Sequence, residues 1–421
     1  MEDGSGSEND DDRNASGDIF ESSEEMQNLE IESREQSDNS EAEEFDIALA
    51  ASHSYLSQEL IAVSGRPYLE PGWTGKVPVI AHHGVVFPGE TVPMLLTDAQ
   101  DVAVISQTLN NDKIFGLICP DDSCINISGY GVLCEIIEAS NSNVAPTTLS
   151  FRSRASHRFR FKVRPKMPQP INMYNRMKLV EVLILPELQL RDPLQQVRLP
   201  SLCHWRRENT IMSDNRLRVI ESAITSWPHF VYDIFDFHRM KQTIKDYFRN
   251  MVKTPIPDEP VSLSFWTASN LTLAPGDRLA LFMVEDALLR LHMEVRLIGL
   301  NRVMCCLSCS TEIAYRENIF AMSTEGVHSN YINLGGYMHD LVTVTRAQNI
   351  QLSGPPSAEF SWFPGYAWSV ALCVYCMAHV GWRFDALKRT VRPLQFYGLC
   401  RNNIVLRPPQ SMTIFSTPPP P

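Results

Sequence analysis

"FSWFPGYAWSVALCVYCMAHVGWRF", residues 360–384, sets three tryptophans, Trp362, Trp368 and Trp382, around one CxxC pair, Cys373 and Cys376. From Ser361 to Trp382 there is no Asp, Glu, Lys or Arg. Such a run is long enough to cross a bilayer. Its contents argue against a span: Pro364-Gly365, two cysteines, His379 and Gly381 interrupt it, and no sustained Leu/Ile run occurs. FPGY (Phe363–Tyr366) is a turn signal, because Pro presets the first central position and Gly accepts positive φ at the next. A turn there predicts a short strand on either side, with Trp362 and Trp368 facing each other across a hairpin. Trp382 and Phe384 fall on one face at strand period.

A second pair, Cys306 and Cys309, lies upstream, with 63 residues between the two pairs. Each CxxC turn places two thiolates on one side, and two such turns make a closed tetrahedral sulfur site suited to structural zinc. Cys305 is a looser alternative to Cys306. A redox dithiol of the thioredoxin kind needs one pair at a helix start, not two matched pairs. Incidental core cysteines are the remaining alternative.

The rest of the chain divides by texture. Residues 76–187 are rich in β-branched residues with Pro and Gly punctuation, in "KVPVIAHHGVVFPGETVPMLL" (76–96), "KIFGLIC" (113–119) and "YGVLCEIIEA" (130–139), and predict strands and turns. From 188 to 300, "NRLRVIESAI" (215–224), "FVYDIFDFHRMKQTIKDYFRNMV" (230–252) and "GDRLALFMVEDALLRLHMEVRLIGLNRV" (276–303) repeat apolar residues at helical spacing. Pro275 with Gly276-Asp277 marks a helix start. Strands return over 301–408. The fold class is therefore α+β. Residues 47–75 form an irregular lead-in, and 409–421 a loose tail.

The net charge of −12 is concentrated in residues 1–46, which hold 18 acids and two bases; the remaining 375 residues hold 31 acids and 35 bases. That acidic, apolar-poor segment cannot bury enough surface to offset ordering and is expected to be a disordered tail. Residues 152–178 carry nine Lys/Arg and no acid. Within "RFRFKVRP" (158–165) the bases Arg158, Arg160, Lys162 and Arg164 alternate with Phe159, Phe161 and Val163, which reads as a solvated strand face rather than a nucleic-acid patch. Neither nucleic acid nor membrane is expected as a partner. The cysteines do not form a secreted disulfide framework, and no signal peptide is read at the start, so cytoplasm and nucleus are the expected compartments.

The three indoles form either an aromatic core beside the zinc or a cage. A cage suits a methylated ammonium or a small flat uncharged ring. Glu359 is the nearest carboxylate in sequence. No catalytic Ser/His/Asp or Cys/His set is visible. His339 and His379 have no evident nucleophile partner, the chain lacks a GxxxxGK phosphate loop, and a RING's eight ligands are missing.

These residues carry a resemblance. "SWFPGYAWSVALCVYCMAHVGWRF", the Cys306/Cys309 knuckle and "NYINLGGYMHDLVTV" closely resemble the CULT domain of the cereblon family. "VPVI" with "GVVFPGETVPMLL" is similar to the opening of the Lon N-terminal domain that this family also carries, and Thr225-Ser226-Trp227-Pro228 stands at the matching place in the helical middle. The resemblance implies a non-catalytic substrate receptor of a cullin-4 RING E3 ubiquitin ligase. Its helical segment would dock the damage-specific DNA-binding adaptor, and through it cullin-4 and the RING subunit. A three-Trp pocket would bind glutarimide rings, thalidomide-type drugs and cyclic-imide protein ends among them. By motif position it implies Trp362, Trp368, Trp382, Phe384, Phe360 and Asn333 as the ligand pocket, and Cys306, Cys309, Cys373 and Cys376 as ligands of one zinc. This chain has Phe360 where the family has His, and Leu334-Gly335 where it has Pro-His. A methyl-ammonium reader without a ligase role is the alternative.

Overall fold

A computed structural model describes residues 42–57, 60–65, 68–140, 148–161, 169–202, 211–300 and 303–408. The expectations for the acidic tail up to residue 41, for residues 162–164 of the basic strand and for the tail from 409 lie outside them. Met1–Glu43 forms a unit by itself, and all that follows belongs to the unit Glu44–Pro421.

The first block is a β-barrel with one helix. Its strands are β1 (Leu60–Ala62), β2 (Thr74–Ala81), β3 (Thr91–Leu96), β4 (Ile114–Pro120), β5 (Ile127–Ser140), β6 (Leu149–Arg160) and β7 (Lys178–Ile184). They run in the order β1-β5-β4-β2-β7-β6-β3, and β5 also pairs with β6, which closes five strands into a ring. Closure removes the unpaired edges that an open sheet would expose. Val79, Ile118, Leu133, Phe159 and Ile184 fill one side of the ring wall. The β-rich reading of 76–187 missed the helix Ala99–Asn110, which Asp98 starts by accepting from the Gln100 and Asp101 N–H groups.

The helical middle holds Ile211–Ala223, Phe237–Phe248, Pro260–Asn270, Pro275–Met283 and Ala287–Ile298. Asp236, Glu259 and Asp286 cap three of them, with side-chain oxygens on N–H groups of the first turn. Pro275 starts its helix at the first helical position, as read from the sequence. Two helical runs are divided. His229–Phe235 is a 3-10 turn before Asp236, and Val284–Asp286 separates the last two helices. Pro260–Asn270 escaped the sequence reading, because it is buried nearly all round and so lacks a polar stripe.

The C-terminal block contains β8 (Val303–Cys306), β9 (Glu312–Ala314), β10 (His328–Ile332), β11 (Met338–Val344), β12 (Ile350–Ser357), β13 (Tyr366–Cys373), β14 (His379–Ala386), β15 (Gln395–Cys400) and β16 (Ile404–Arg407). Six form one sheet, β10-β11-β15-β14-β13-β12, and three form another, β9-β8-β16. One apolar core runs through all three blocks. It joins Phe87 and Phe151 of the barrel to Phe265, Phe282 and Leu291 of the helices and to Val342 and Leu399 of the sheet.

Two expectations need correction. The lead-in is not irregular throughout: Ile47–Ala51 is a one-turn helix capped by Asp46, and β1 pairs with β5. Phe45 and Ala50 are embedded in the C-terminal aromatic core, with the Phe45 ring edge-on to Tyr366 at 5.4 Å. The described part of the basic strand is not a uniformly solvated face either. Arg160 is exposed, but Arg158 is fully buried between the barrel and the helices. The barrel closes on that side against Phe265 and Phe282, so the residue facing them is covered despite its charge.

Candidate functional site

Two loops of the same design hold the cysteines. In the first, the Cys306 N–H donates to Thr311, Ser310 N–H donates back to the Cys306 carbonyl, and Ser310 takes a left-handed φ of +61°. In the second, Cys373 donates to Ala378, Met377 donates to the Cys373 carbonyl, and Met377 has φ +58°. Each loop turns its two thiols to the same side. The four sulfurs of Cys306, Cys309, Cys373 and Cys376 lie within 4.8 Å of one another. Cys306 Sγ is 3.6 Å from Cys376 Sγ, and Cys309 Sγ 3.5 Å from Cys373 Sγ. A tetrahedral zinc with bonds of about 2.3 Å spaces its sulfurs by about 3.8 Å, so the ion fits with a small outward relaxation. Four thiolates leave it no open position. This is a site for one structural zinc, and it ties the β8–β9 hairpin to the β13–β14 hairpin, joining the two sheets. The looser alternative, Cys305, lies buried outside the set.

The indoles do converge, though not across the turn that the sequence suggested. FPGY is a turn, with Gly365 at φ +88° and the Tyr366 N–H donating to the Phe363 carbonyl. It is a corner leading into β13, and β12 has already ended at Ser357. The hairpin is β13–β14, turned at the second cysteine loop. Its register sets Trp368 opposite Phe384 and Val370 opposite Trp382. Period 2 therefore puts these four side chains on one face. Trp362 arrives from the loop, and its ring meets Trp382 edge-on at 4.7 Å. Gly381, just before Trp382, lets β14 lie close against β15: at φ +154°, a Cβ there would sit 2.1 Å from the Gly398 carbonyl oxygen of β15.

The result is a cavity of about 400 Å³, within the range of small-molecule sites. Trp362, Trp368, Trp382, Phe384, Phe360 and Asn333 all line it, as do Glu359, Val370 and the Leu334-Gly335 loop. Trp362 donates its indole N–H to the Ile332 carbonyl at 2.9 Å, and Trp368 donates to the Glu359 carbonyl at 2.8 Å. Both rings are thereby fixed, offering faces rather than donors. Phe360 stands at φ +52°, a conformation that costs a non-glycine residue on the order of 1 kcal/mol. Among the described residues its main-chain N–H and carbonyl are unpaired. The site thus combines flat apolar walls with a lining residue whose main-chain donor and acceptor are unpaired.

Sequence reasoning did not identify the supports. Tyr55 of the lead-in meets Phe360 edge-on at 5.1 Å and accepts a hydrogen bond from the Ile332 N–H. His53, beside it, packs on Tyr331, and Tyr331 stacks on Trp362 at 5.4 Å. Burial pushes the His53 imidazole down to about 3, with Arg152 adding to the effect. His339 and His379 lie edge-on to Trp382 at 4.9 and 4.6 Å. Burial lowers His339 to about 4, so it is a neutral imidazole at pH 7. Their role is to pack Trp382. The aromatic content of "YINLGGYMHD" was the available signal for His339; Tyr55 left none.

Comparison with known proteins agrees with this geometry. The model of the substrate-binding domain of the ATP-dependent protease La (LON) matches residues 76–299. The model described as Yippee zinc-binding/DNA-binding/Mis18, centromere assembly, matches residues 302–412. The chain is 30% identical to protein cereblon of Danio rerio, over 87% of this chain and 89% of that protein. Against protein cereblon of Gallus gallus the values are 30%, 87% and 86%, and against that of Xenopus tropicalis 28%, 93% and 92%. No helix among the described residues is long and apolar enough to cross a membrane.

Proposed function

Because the chain belongs to the cereblon family, we propose that it is the non-catalytic substrate receptor of a cullin-4 RING E3 ubiquitin ligase, recognising cyclic-imide ends of proteins in the three-indole pocket. The observation that carries this reading is the pairing of fixed indole faces with the unpaired main-chain groups of Phe360. A glutarimide is flat, uncharged and small enough for the cavity. Its imide carries one N–H and flanking carbonyls, which suit one main-chain acceptor and one donor. The change from His to Phe360 leaves such contacts in place, because they run through the backbone. Proteins bearing the imide would be presented for ubiquitin transfer by the partners and then for degradation, in cytoplasm and nucleus. We take 76–187, 188–300 and 301–408 as the working domain limits.

The alternative is a methyl-ammonium cage. Glu359 at the cavity favours it, since a carboxylate beside an aromatic cage attracts a cation. Tryptophan fluorescence of the full chain separates the two. Glutarimide is expected to quench it saturably and trimethyl-lysine is not, and Trp368→Ala should weaken the imide response by at least tenfold. Preference for the cation would replace the proposal with the methyl-ammonium reader.

Adaptor docking is assigned to the helical middle. Ile220, Ile224, Trp227 and Phe230 are exposed on the helix Ile211–Ala223 and the segment after it, with Phe230 70% accessible. A patch of this kind marks an interaction surface. Trp227→Glu with Phe230→Glu is expected to abolish co-purification with the damage-specific DNA-binding adaptor while the imide titration stays unchanged. Retention of the adaptor at wild-type level would move the docking site elsewhere.

A further inference from the structure

The indole pocket is not the only large cavity. A cleft of about 690 Å³ opens where barrel, helices and C-terminal sheet meet. Its two long walls differ in chemistry. One is the helix Pro260–Asn270 with the segment before it, presenting Pro255, Pro257, Val261, Phe265 and Trp266. The other is β6, presenting Arg152, Arg154, Ser156 and His157.

Arg154 and His157 should lie on opposite faces of a regular strand. A β-bulge alters that. His157 is opposite Leu133 and Ala155 is opposite Cys134, so Ser156 is the extra residue, and its hydroxyl donates to the Leu133 carbonyl. The bulge turns both basic side chains into the same cleft, and bulges of this kind gather near functional sites, where they re-aim side chains.

The charges of the cleft are unevenly paired. Glu187 is held by Arg158 and Arg290, and Glu90 by Arg278 and Asn330. Arg152 is paired with Glu138. Burial pushes the Glu325 carboxyl up to about 7, against the pull of its hydrogen bond to Thr91 and the charges of Arg154 and Arg152. The Arg154 guanidinium is exposed and makes no hydrogen bond or ion pair among the described residues. Two further nitrogens, Arg152 Nε and His157 Nδ1, are buried without a hydrogen-bond partner.

We propose that this cleft is a second ligand site, taking an organic anion whose acidic headgroup meets Arg154 and His157 and whose apolar body lies against Val261 and Trp266. An acidic group would satisfy the unpaired guanidinium with charge-assisted hydrogen bonds. The volume is ample for a body of two or three rings. The site is separate from the indole pocket and does not depend on the function proposed there.

The test uses the full chain and two dyes of like shape, 8-anilinonaphthalene-1-sulfonate and uncharged N-phenyl-1-naphthylamine. The sulfonate is expected to give a saturable, single-site fluorescence increase and to bind at least tenfold more tightly than the amine. Arg154→Glu should raise its Kd at least tenfold and His157→Ala several-fold. Trp368→Ala should leave it unchanged. The proposal is overturned by a non-saturable response, by equal affinity for the two dyes, by indifference to Arg154→Glu, or by loss of binding in Trp368→Ala.

Discussion

Cys376→Ala is expected to unfold the C-terminal block and remove the imide response with it. The substitution leaves three thiols facing a vacancy and a zinc held too weakly to join the two sheets. Structural zinc of this type contributes on the order of 10 kcal/mol to folding. A whole domain is stable by only about 5–15 kcal/mol, so losing most of the zinc contribution is enough. The six-stranded sheet does not compensate, because the β13–β14 hairpin, which carries four of the pocket residues, is turned at the second cysteine loop. A strong chelator should reproduce the effect in the wild type, and zinc should reverse it. Cys305→Ala is the control. That thiol is also buried and adjacent, but it stands outside the four-sulfur set, so its loss should cost about 1 kcal/mol. The measurements are metal content per chain, expected at one zinc, and thermal unfolding. A Cys376→Ala protein that melts with the wild type and still binds glutarimide would refute the structural role.

The cysteine loops were legible because their determinants are local. Two residues between cysteines fix the turn, and the turn fixes the side on which both thiols point. Trp368, Trp382 and Phe384 were legible for a similar reason, since strand period alone puts Trp382 and Phe384 on one face. What pairs with that face was not legible. FPGY is equally consistent with a hairpin and with a corner, and only the ending of β12 at Ser357 decides for the corner. Contacts distant in sequence left no trace: Tyr55 bonds to Ile332, 277 positions away. The cleft beside β6 was hidden too, because the bulge at Ser156 depends on the register with β5 rather than on the residues of either strand alone. The acids and bases showed the limit most clearly. Alternation placed Arg158 and Arg160 on one face, but it says nothing of what covers that face.

Arg158→Ala is therefore expected to be among the costliest single substitutions outside the zinc site, while Arg160→Ala is nearly silent. All five N–H donors of Arg158 are engaged. Nε and Nη2 form a fork on Glu187, at 2.6 and 3.0 Å. Nη1 donates to the Phe282 and Val284 carbonyls, and Nη2 also to that of Pro186. Phe282 and Val284 belong to the junction between the last two helices of the middle block, so one β6 side chain fastens the barrel to that junction. Arg290 completes the set, 3.3 Å from Glu187 and stacked over Phe265 at 3.9 Å. Removing one member of a buried ion cluster costs about 3–5 kcal/mol, because its partners stay desolvated with their charges and lone pairs unmet. Replacing Arg158 also strips the buried Phe282 carbonyl of its donor. Arg160 is exposed, and its loss should stay within about 0.5 kcal/mol. Arg158→Lys is the sharper comparison, since an ammonium keeps the charge but offers three donors without the planar fork. It should recover part of the loss and not all of it. Urea unfolding of the three variants measures the differences. Equal midpoints for Arg158→Ala and Arg160→Ala would mean that the cluster contributes nothing net, and that the barrel and helices are held by their shared apolar core alone.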